Sequence, residues 1–309
     1  MAFTVASIGS LMADVAIFTP RMPITGETLI GYGSKIGPGG KGANVAAALA
    51  RLGASSLMIG KVGEDDFGRM ELRALQAQGV DTSAIGIEPT LQTGQAFIMV
   101  NDQKENTILV AMGANDAVYG EYIVSALTAH RERLSAIVID FEIPEAGVTA
   151  AVRFGQANDI PVIVDAGPAR PFGPEVWGAC TVLTPNEQET AALVGYSIEH
   201  DDDALRAADT LLAQGPQIVV LKRGKAGALL RTATETAFVP AFPIEAVDTT
   251  GAGDAFTALF TLSMLEGLPL AECVRRGNAA GGLAATRVGT MPALPTRAEV
   301  EAFLAARAE

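Results

Sequence analysis

Short aliphatic runs alternate along this chain with segments of helical periodicity, and this alternation most constrains its fold. Five runs are typical of buried strands: Val5–Gly9, Ile137–Asp140, Pro161–Asp165, Thr181–Pro185 and Ile218–Lys222. The segments with helical periodicity are Asn44–Leu52, Phe67–Gln78, Ala204–Gln214, Asp254–Glu266 and about Arg297–Ala306. The first four of these are followed by glycine, which is favoured just past a helix C-terminus. Strands that alternate with helices predict an α/β fold, with a parallel sheet covered on both faces.

Two segments interrupt this alternation. Ala13–Ile36 and Thr93–Gly113 have strand-like patterns without intervening helices. Within the second, Gln95–Val100 and Asn106–Ala111 flank the polar residues Asn101–Glu105, an arrangement typical of a hairpin. We expect the two segments to form a small β-lid beside the main body.

Composition excludes several classes of protein. Lys and Arg number 22 against 35 Asp and Glu, so the net charge is −13 and the basic footprint of a nucleic-acid binder is missing. Hydrophobic residues make up 49% of the chain, too many for a disordered protein, yet no apolar run reaches the roughly 18 residues of a membrane span. The first residues lack a basic n-region, and Cys180 and Cys273 are too few for a disulfide framework. We therefore expect one cytoplasmic domain over residues 1–309, without nucleic-acid or membrane partners.

The segment Gly37–Asn44 contains four glycines directly before a helix. Its spacing matches the dinucleotide fingerprint G-x-G-x-x-G, but the residues before it make a poor buried strand, so the match is weak. A P-loop is excluded because Lys41 is followed by Gly42 rather than by Ser or Thr. The glycines let the backbone approach a ligand closely, and Asn44 can hydrogen-bond hydroxyl groups. A tight turn that serves packing alone is the alternative.

A second glycine-rich segment, Asp248–Asp254, opens a helix whose first N–H groups lack partners within the helix. Such a helix end binds anions. Asp254 lies in the same turn, where an acidic residue on its own would simply stabilise the helix. An anion site beside a carboxylate suits phosphoryl transfer, because the N–H groups stabilise the moving charge and the carboxylate accepts the proton of the attacking hydroxyl.

Two further loops follow strands. Thr184–Glu189 is a helix-capping pattern with Asn186 as N-cap and Glu189 three residues later. Capping and a role at a phosphate or a metal-bound water are about equally supported there. Leu221–Gly227 predicts a turn, with a loop that faces a nucleotide as the alternative.

These motifs, in this order, resemble the ribokinase (PfkB) family of sugar kinases from about Val5 to the last residue. The signatures are Gly39–Asn44 and Asp248–Asp254, and lesser matches lie at 26–28, 63–68, 113–115, 184–187 and 286–289. The resemblance implies a Rossmann-type three-layer sandwich with a parallel-rich central sheet and a β-sheet lid, which in many members forms a homodimer. It also implies transfer of the γ-phosphoryl group of ATP, with Mg²⁺ and a monovalent cation such as K⁺, to a sugar, in the first place the 5-hydroxyl of D-ribose.

Matching positions imply the role of each residue. Sugar contacts fall on Met12, Asp14, Gly39, Gly40, Asn44 and Glu142, and the general base on Asp254. The anion hole falls on Gly251, Ala252 and Gly253. Nucleotide, phosphate and Mg²⁺-water contacts fall on Asn186, Glu189, Lys222, Gly224, Gly251, Gly253 and Asn278. The monovalent-cation site falls, mostly through backbone carbonyl groups, on Asp248, Thr250, Ala284, Arg287, Gly289 and Ala293.

Three residues depart from the family's pattern. Met12 stands where bacterial ribokinases usually have Asn, and the lost hydrogen bond to a ribose hydroxyl, about 0.5–1.5 kcal/mol, would not affect a 2-deoxy sugar. Lys222 replaces a common Thr, and Asp165 replaces the Asn of an Asn-Pro-Ala-Pro pattern and is a candidate contact for a metal-bound water.

Alternative substrates are 2-deoxyribose, fructose, a ketodeoxy acid or a nucleoside. A catalytically silent sugar-binding protein is less favoured because Asp254 is intact, and a nicotinamide oxidoreductase is less favoured still.

Overall fold

Side chains of the central strands alternate between two hydrophobic cores, so both faces of the main sheet are buried. In the computed structural model, which describes residues 3–103 and 105–307, Val5 packs into one core while Ala6 and Ile8 pack into the other. Successive residues of a strand point to opposite faces, so each face requires its own layer of helices. The result is the three-layer α/β sandwich predicted from the sequence.

The strands that the structure describes are β1 (Thr4–Ile8), β2 (Met12–Thr19), β3 (Gly33–Gly39), β4 (Ser55–Gly63), β5 (Asp81–Glu88), β6 (Gly94–Asn101), β7 (Asn106–Ala111), β8 (Leu134–Ile139), β9 (Val162–Val164), β10 (Val182–Leu183), β11 (Ile218–Lys222), β12 (Ala228–Thr232) and β13 (Thr236–Val239). The central sheet has the order β13-β12-β11-β10-β9-β8-β1-β4-β5. Its strands from β11 to β5 are parallel, and β12 and β13 extend one edge antiparallel.

The helices are α1 (Lys41–Arg51), α2 (Asp66–Ala77), α3 (Gly120–His130), α4 (Glu145–Ala157), α5 (Pro174–Gly178), α6 (Glu187–Val194), α7 (Asp201–Leu212), α8 (Ala252–Leu265), α9 (Leu270–Ala285) and α10 (Arg297–Ala305). Buried residues of α1, α8, α9 and α10 belong to one core, and those of α3, α4 and α7 belong to the other. Within the described residues, no helix is long and apolar enough to cross a membrane.

A separate sheet of four strands, in the order β3-β2-β6-β7, forms the lid. The hairpin of β6 and β7 lies where the sequence predicts it, and β2 pairs parallel with β6. The first lid segment is longer than the predicted Ala13–Ile36, because the pairing of β2 with β3 extends to Met12 and Gly39. The lid therefore runs without a break into the glycines that precede α1.

The five predicted strands and five predicted helices are present, with ends that differ by up to three residues. The sequence did not single out the strands β4, β5, β12 and β13 or the helices α3, α4 and α9. The edge strand β13 is at most half-buried, so it lacks the continuous apolar run that marks a buried strand.

Candidate active site

The N-termini of α1 and α8 meet beside the carboxyl ends of the central strands, and a buried hydrogen bond joins them. Asn44 Nδ2 donates to Asp254 Oδ2 over 3.0 Å, and both side chains are only 5% exposed. The two residues are 210 positions apart in the chain. The two glycine-rich motifs therefore form one site, at the edge of the sheet where open α/β folds bind ligands.

Close packing explains the glycines before and within α1. Gly40 has a left-handed φ of +92°, and a Cβ there would lie 2.7 Å from the carbonyl oxygen of Ser10. A Cβ on Gly42 would lie 2.7 Å from the carbonyl carbon of Gly9. The start of α1 thus lies directly against the backbone that follows β1, which leaves no room for side chains at these positions.

The sugar contacts implied by the resemblance converge beneath the lid. On β2, the Asp14 carboxylate lies so close to Gly39 that a Cβ on Gly39 would be 2.6 Å from Asp14 Oδ1. Glu142 Oε2 accepts a hydrogen bond from Ser10 Oγ over 2.5 Å. Burial, reinforced by the charges of Glu142 and Asp254, raises the pKa of Asp14 to about 6. These contacts place three carboxylates around one space.

Met12 shares the face of β2 with Asp14, because the two residues are two positions apart in a strand. Its side chain is 2% exposed. A thioether therefore lies on the side of the lid that carries Asp14, at the position where the family's pattern has Asn.

Asn44 retains an unused acceptor in this space. Its Nδ2 bonds to Asp254, but its Oδ1 is buried and has no partner among the described residues. Buried polar atoms are seldom left unpaired unless a ligand or water completes them. A hydroxyl donor of a bound sugar fits this position.

Burial raises the pKa of Asp254 to about 6. Asp165 raises this pKa further, while Lys41, the amide of Asn44 and Lys222 oppose the shift. At neutral pH the carboxyl group is then mostly ionised and still basic enough to accept a proton from an alcohol.

The first turn of α8 has the geometry of an anion hole. Gly251 is the N-cap residue in a left-handed conformation with a φ of +78°. The N–H group of Ala252 donates to the carbonyl oxygen of Thr249, whereas those of Gly251, Gly253 and Asp254 have no acceptor within the described part of the chain. Free N–H groups at a positive helix end can hold a phosphoryl oxygen beside the base.

Lys41 was absent from the expected site residues, yet its ammonium group lies among four carboxylates: Asp165, Asp254, Glu189 and Glu142. Burial alone would lower the pKa of Lys41, but these carboxylates raise it above its usual range. The lysine in the Gly-Gly-Lys-Gly sequence was the signal that could have indicated this role. A permanent positive charge therefore lies between the sugar side and the phosphate side of the site.

Asn186 and Glu189 form the capping box that their spacing predicts. Asn186 Oδ1 accepts from the N–H of Glu189, and Glu189 Oε2 accepts from the N–H of Asn186, each over 2.8 Å. The second carboxylate oxygen of Glu189 lies outside the cap and beside Gly167. Capping therefore leaves one oxygen of Glu189 free to face a ligand.

A cavity of about 730 Å³ opens beside the N-terminus of α8, and its lining includes Lys222, Gly224, Gly253 and Asn278. Asn278 Nδ2 donates to the carbonyl oxygens of Val239 and Pro240. The size is that of a small-molecule site. Asn186, Glu189 and Gly251 do not line the cavity.

Two of the residues expected to hold a monovalent cation, Thr250 and Gly289, contact a third, Asp248. One of its carboxylate oxygens accepts from the N–H and the hydroxyl of Thr250, and the other accepts from the N–H of Gly289. The Arg287 side chain turns away to pair with Glu299. The Asp248–Thr250 segment is thereby tied to the segment that contains Ala284, Arg287, Gly289 and Ala293.

Two buried acids support the site and were not found from the sequence. Asp140 accepts from the N–H groups of Ser10 and Glu142 and so fixes both backbones. Glu71 accepts from the N–H of Gly39, and burial raises its pKa to about 9, so it is neutral at pH 7. Neither position lies in a glycine-rich motif.

Comparisons with known proteins identify the family of this chain. Residues 2–297 match the family described as pfkB family carbohydrate kinase. Ribokinase of Bacillus subtilis (strain 168) is 37% identical over 96% of this chain and 98% of that protein, and deoxyribokinase of Salmonella typhi is 34% identical over 97% and 98%.

A solved structure of Arabidopsis thaliana ribokinase complexed with ribose and ATP superposes with a TM-score of 0.90 at 30% identity, covering 98% of this chain and 99% of that one. The fold, the joined motifs and the full-length matches together show that this chain belongs to the pfkB family of carbohydrate kinases, enzymes that transfer a phosphoryl group to an alcohol group of a sugar.

Proposed function

We propose that this enzyme transfers the γ-phosphoryl group of ATP to the 5-hydroxyl of D-ribose. The observation that carries the proposal is the position of Asp254, whose carboxylate is bonded to Asn44 on the sugar side and lies in the turn with free N–H groups on the phosphate side. A base between an alcohol site and an anion hole suits phosphoryl transfer to an alcohol. The ribokinases among the relatives support ribose as the sugar.

The residues beneath the lid bind and orient the sugar. Asp14 and Glu142 accept hydrogen bonds from ring hydroxyls, and Asn44 Oδ1 accepts another. Gly39 and Gly40 let the sugar lie against the backbone. The lid strands exclude water, which would otherwise compete as the acceptor of the phosphoryl group.

The transfer step uses Asp254 and the start of α8. The sugar hydroxyl attacks the γ-phosphorus in line, Asp254 takes the hydroxyl proton, and ADP leaves. The N–H groups of Gly253 and Asp254 stabilise the negative charge on the transferring group. ATP occupies the cavity lined by Lys222, Gly224 and Asn278.

Mg²⁺ fits the oxygens left over at the phosphate end. Glu189 keeps one carboxylate oxygen outside its cap, and Asp165 Oδ1 is buried without a partner among the described residues. Mg²⁺ is commonly held by one or two carboxylates, waters and substrate phosphates, and it would neutralise phosphate charge there. Asn186 positions Glu189 through the capping box.

We place the enzyme in the cytoplasm because Cys180 and Cys273 are buried free thiols, and cell fractionation checks this location.

The second candidate substrate is 2-deoxyribose, and the thioether of Met12 favours it. An Asn at this position would offer a hydrogen bond to a ribose hydroxyl, whereas Met offers apolar contact. A deoxyribokinase among the relatives supports the same alternative.

Asp254→Asn should lower kcat by roughly 10²–10⁴-fold, because the amide cannot accept the hydroxyl proton. The wild-type kcat/KM for the sugar should fall as the pH drops below about 6, where Asp254 becomes protonated. Steady-state kinetics over pH 5–9 measures both effects. The matched control is Asp66→Asn, an exposed acid in the first turn of α2, which should keep wild-type rates. Retention of most activity in Asp254→Asn would show that Asp254 is not the general base.

Met12→Asn should raise the ratio of kcat/KM for ribose to that for 2-deoxyribose by about 2- to 10-fold, which corresponds to the net free energy of one hydrogen bond. Measuring both sugars with both proteins gives the ratio. An unchanged ratio would show that residue 12 does not face the distinguishing hydroxyl. A wild-type enzyme that prefers 2-deoxyribose would favour the second candidate over the first.

We propose that K⁺ binds between the segments joined by Asp248 and orders the loop before α8. The Asp248 carboxylate already ties Thr250 to Gly289, so a cation bound by neighbouring backbone carbonyl groups would reinforce this contact. The rate of ribose phosphorylation should be higher in KCl than in choline chloride of equal ionic strength, and Asp248→Ala should abolish the difference. Equal wild-type rates in the two salts would exclude the cation site.

We also propose that the lid forms a homodimer. The face of the lid opposite Asp14 carries a continuous apolar stripe of Val15, Ile17, Ile36, Phe97 and Leu109, which the strand pairings place on one side. Ile36, Phe97 and Leu109 are exposed at 54%, 41% and 62%. An apolar sheet face of this kind is typical of a protein interface.

Leu109→Asp should convert the dimer to a monomer, because it buries a charge in the interface. Sedimentation velocity measures the mass. The matched control is Ile87→Asp on the edge strand β5, where Ile87 is exposed to a similar degree, 59%. A wild-type monomer at micromolar concentration, or dissociation in both variants, would contradict the lid interface.

A further inference from the structure

Two departures from the family's pattern, far apart in the sequence, contact each other in the structure. Lys222 Nζ lies 3.2 Å from Asp165 Oδ2, and the two side chains are 13% and 2% exposed. Thr257 Oγ1 donates to the same carboxylate oxygen over 3.0 Å. A buried lysine–aspartate pair thus occupies the place of an Asn and a Thr, and the two departures form one charged unit.

The pair lies at the mouth of the anion hole. Lys222 Nζ lies 3.5 Å from the point that a Cβ on Gly253 would occupy, and Lys222 lines the cavity beside α8. The N–H group of Gly253, in the first turn of α8, has no acceptor among the described residues. The ammonium group therefore lies where the terminal phosphoryl group of a bound nucleoside triphosphate would enter the anion hole.

The ammonium group also keeps donors free for a ligand. A lysine ammonium group has three N–H donors, and among the described residues only Asp165 accepts from the Lys222 ammonium group. A purely structural ion pair would gain little at this site, because desolvation offsets the attraction of a buried pair. A cation anchored on one side and open on the other suits recognition of an oxyanion.

Resting on the function proposed above, we propose that Lys222 is a catalytic residue that donates a hydrogen bond to a non-bridging oxygen of the transferring γ-phosphoryl group, and that Asp165 is the residue that positions it. The bond from the γ-phosphorus to ADP breaks, and the bond to the sugar oxygen forms. The hydroxyl proton goes to Asp254, and Lys222 keeps its protons throughout. Its charge stabilises the transferring group along the whole path.

Comparing nucleotides with and without the γ-group tests the contact in the absence of sugar. Calorimetric titration with ADP and with the non-hydrolysable analogue adenylyl imidodiphosphate, both with Mg²⁺, gives the two affinities. Lys222→Met should weaken binding of the analogue by about tenfold or more, the value of a charge-assisted hydrogen bond, and leave ADP affinity within about threefold. Equal loss for both nucleotides, or no loss for either, would overturn the proposal.

The matched control is Lys61→Met. Lys61 pairs with Glu88 over the same 3.2 Å, but on β4 away from the cavity. It should change neither affinity. Since the titrations need no sugar turnover, they can fail while the wild type phosphorylates ribose, and an inactive wild type would instead reject the proposed function.

A double-mutant cycle of Asp165→Asn and Lys222→Met tests the positioning role of Asp165. Asp165→Asn combined with Lys222→Thr places the family's usual residues at both positions and should fold. In the Asp165→Asn background, Lys222→Met should lower kcat much less than in the wild type, because the ammonium group has lost its anchor. Equal losses in the two backgrounds would show that Asp165 does not position Lys222.

Discussion

The hydrogen bond between Asn44 and Asp254 is the contact on which the site depends. It joins the first turns of α1 and α8, which enter the site from opposite ends of the chain. The start of α1, which carries Asn44, packs directly against the backbone after β1, and a Cβ on Gly42 would lie 2.7 Å from the carbonyl carbon of Gly9. The same bond leaves Asn44 Oδ1 open to a sugar and keeps the Asp254 carboxylate oriented. In the proposed reaction, sugar recognition and base orientation therefore share one amide group.

Local positive charge lets the site bind an anionic substrate although the net charge of the chain is negative. The chain carries a net charge of −13, and several carboxylates crowd the site. Positive charge is supplied at two fixed points, by Lys41 among the carboxylates and by Lys222 beside the anion hole. The N-terminus of α8 adds its own partial charge. Lys222 is paired with Asp165, and Lys41 is buried among carboxylates, so both charges are present before the nucleotide binds and little reorganisation is needed at the moment of transfer.

The sequence predicted the layers, the lid and the two motifs, because each depends on local periodicity or on glycine placement. It missed α9, whose three glycines make a poor helix on its own. The structure explains them: a Cβ on Gly281 would lie 2.9 Å from the carbonyl oxygen of Ala252, and one on Gly277 would lie 2.9 Å from the ring of Phe256. Tertiary packing against α8 thus overrides helix propensity. The contact of Asp165 with Lys222 was also beyond prediction, since residues 57 positions apart meet only through the strand order.

The strand β2 links the substrate site to the outer surface of the lid. Met12 and Asp14 lie on the face of β2 that is proposed to cover the sugar, while Val15 and Ile17 belong to the apolar stripe on the opposite face. A shift of one residue in the pairing with β3 or β6 would reverse both sets at once, moving the carboxylate outward and the aliphatic side chains over the sugar. Burial of the apolar stripe against a second lid would therefore also hold Asp14 at the sugar. In this arrangement the lid interface and the sugar site are stabilised by the same strand register.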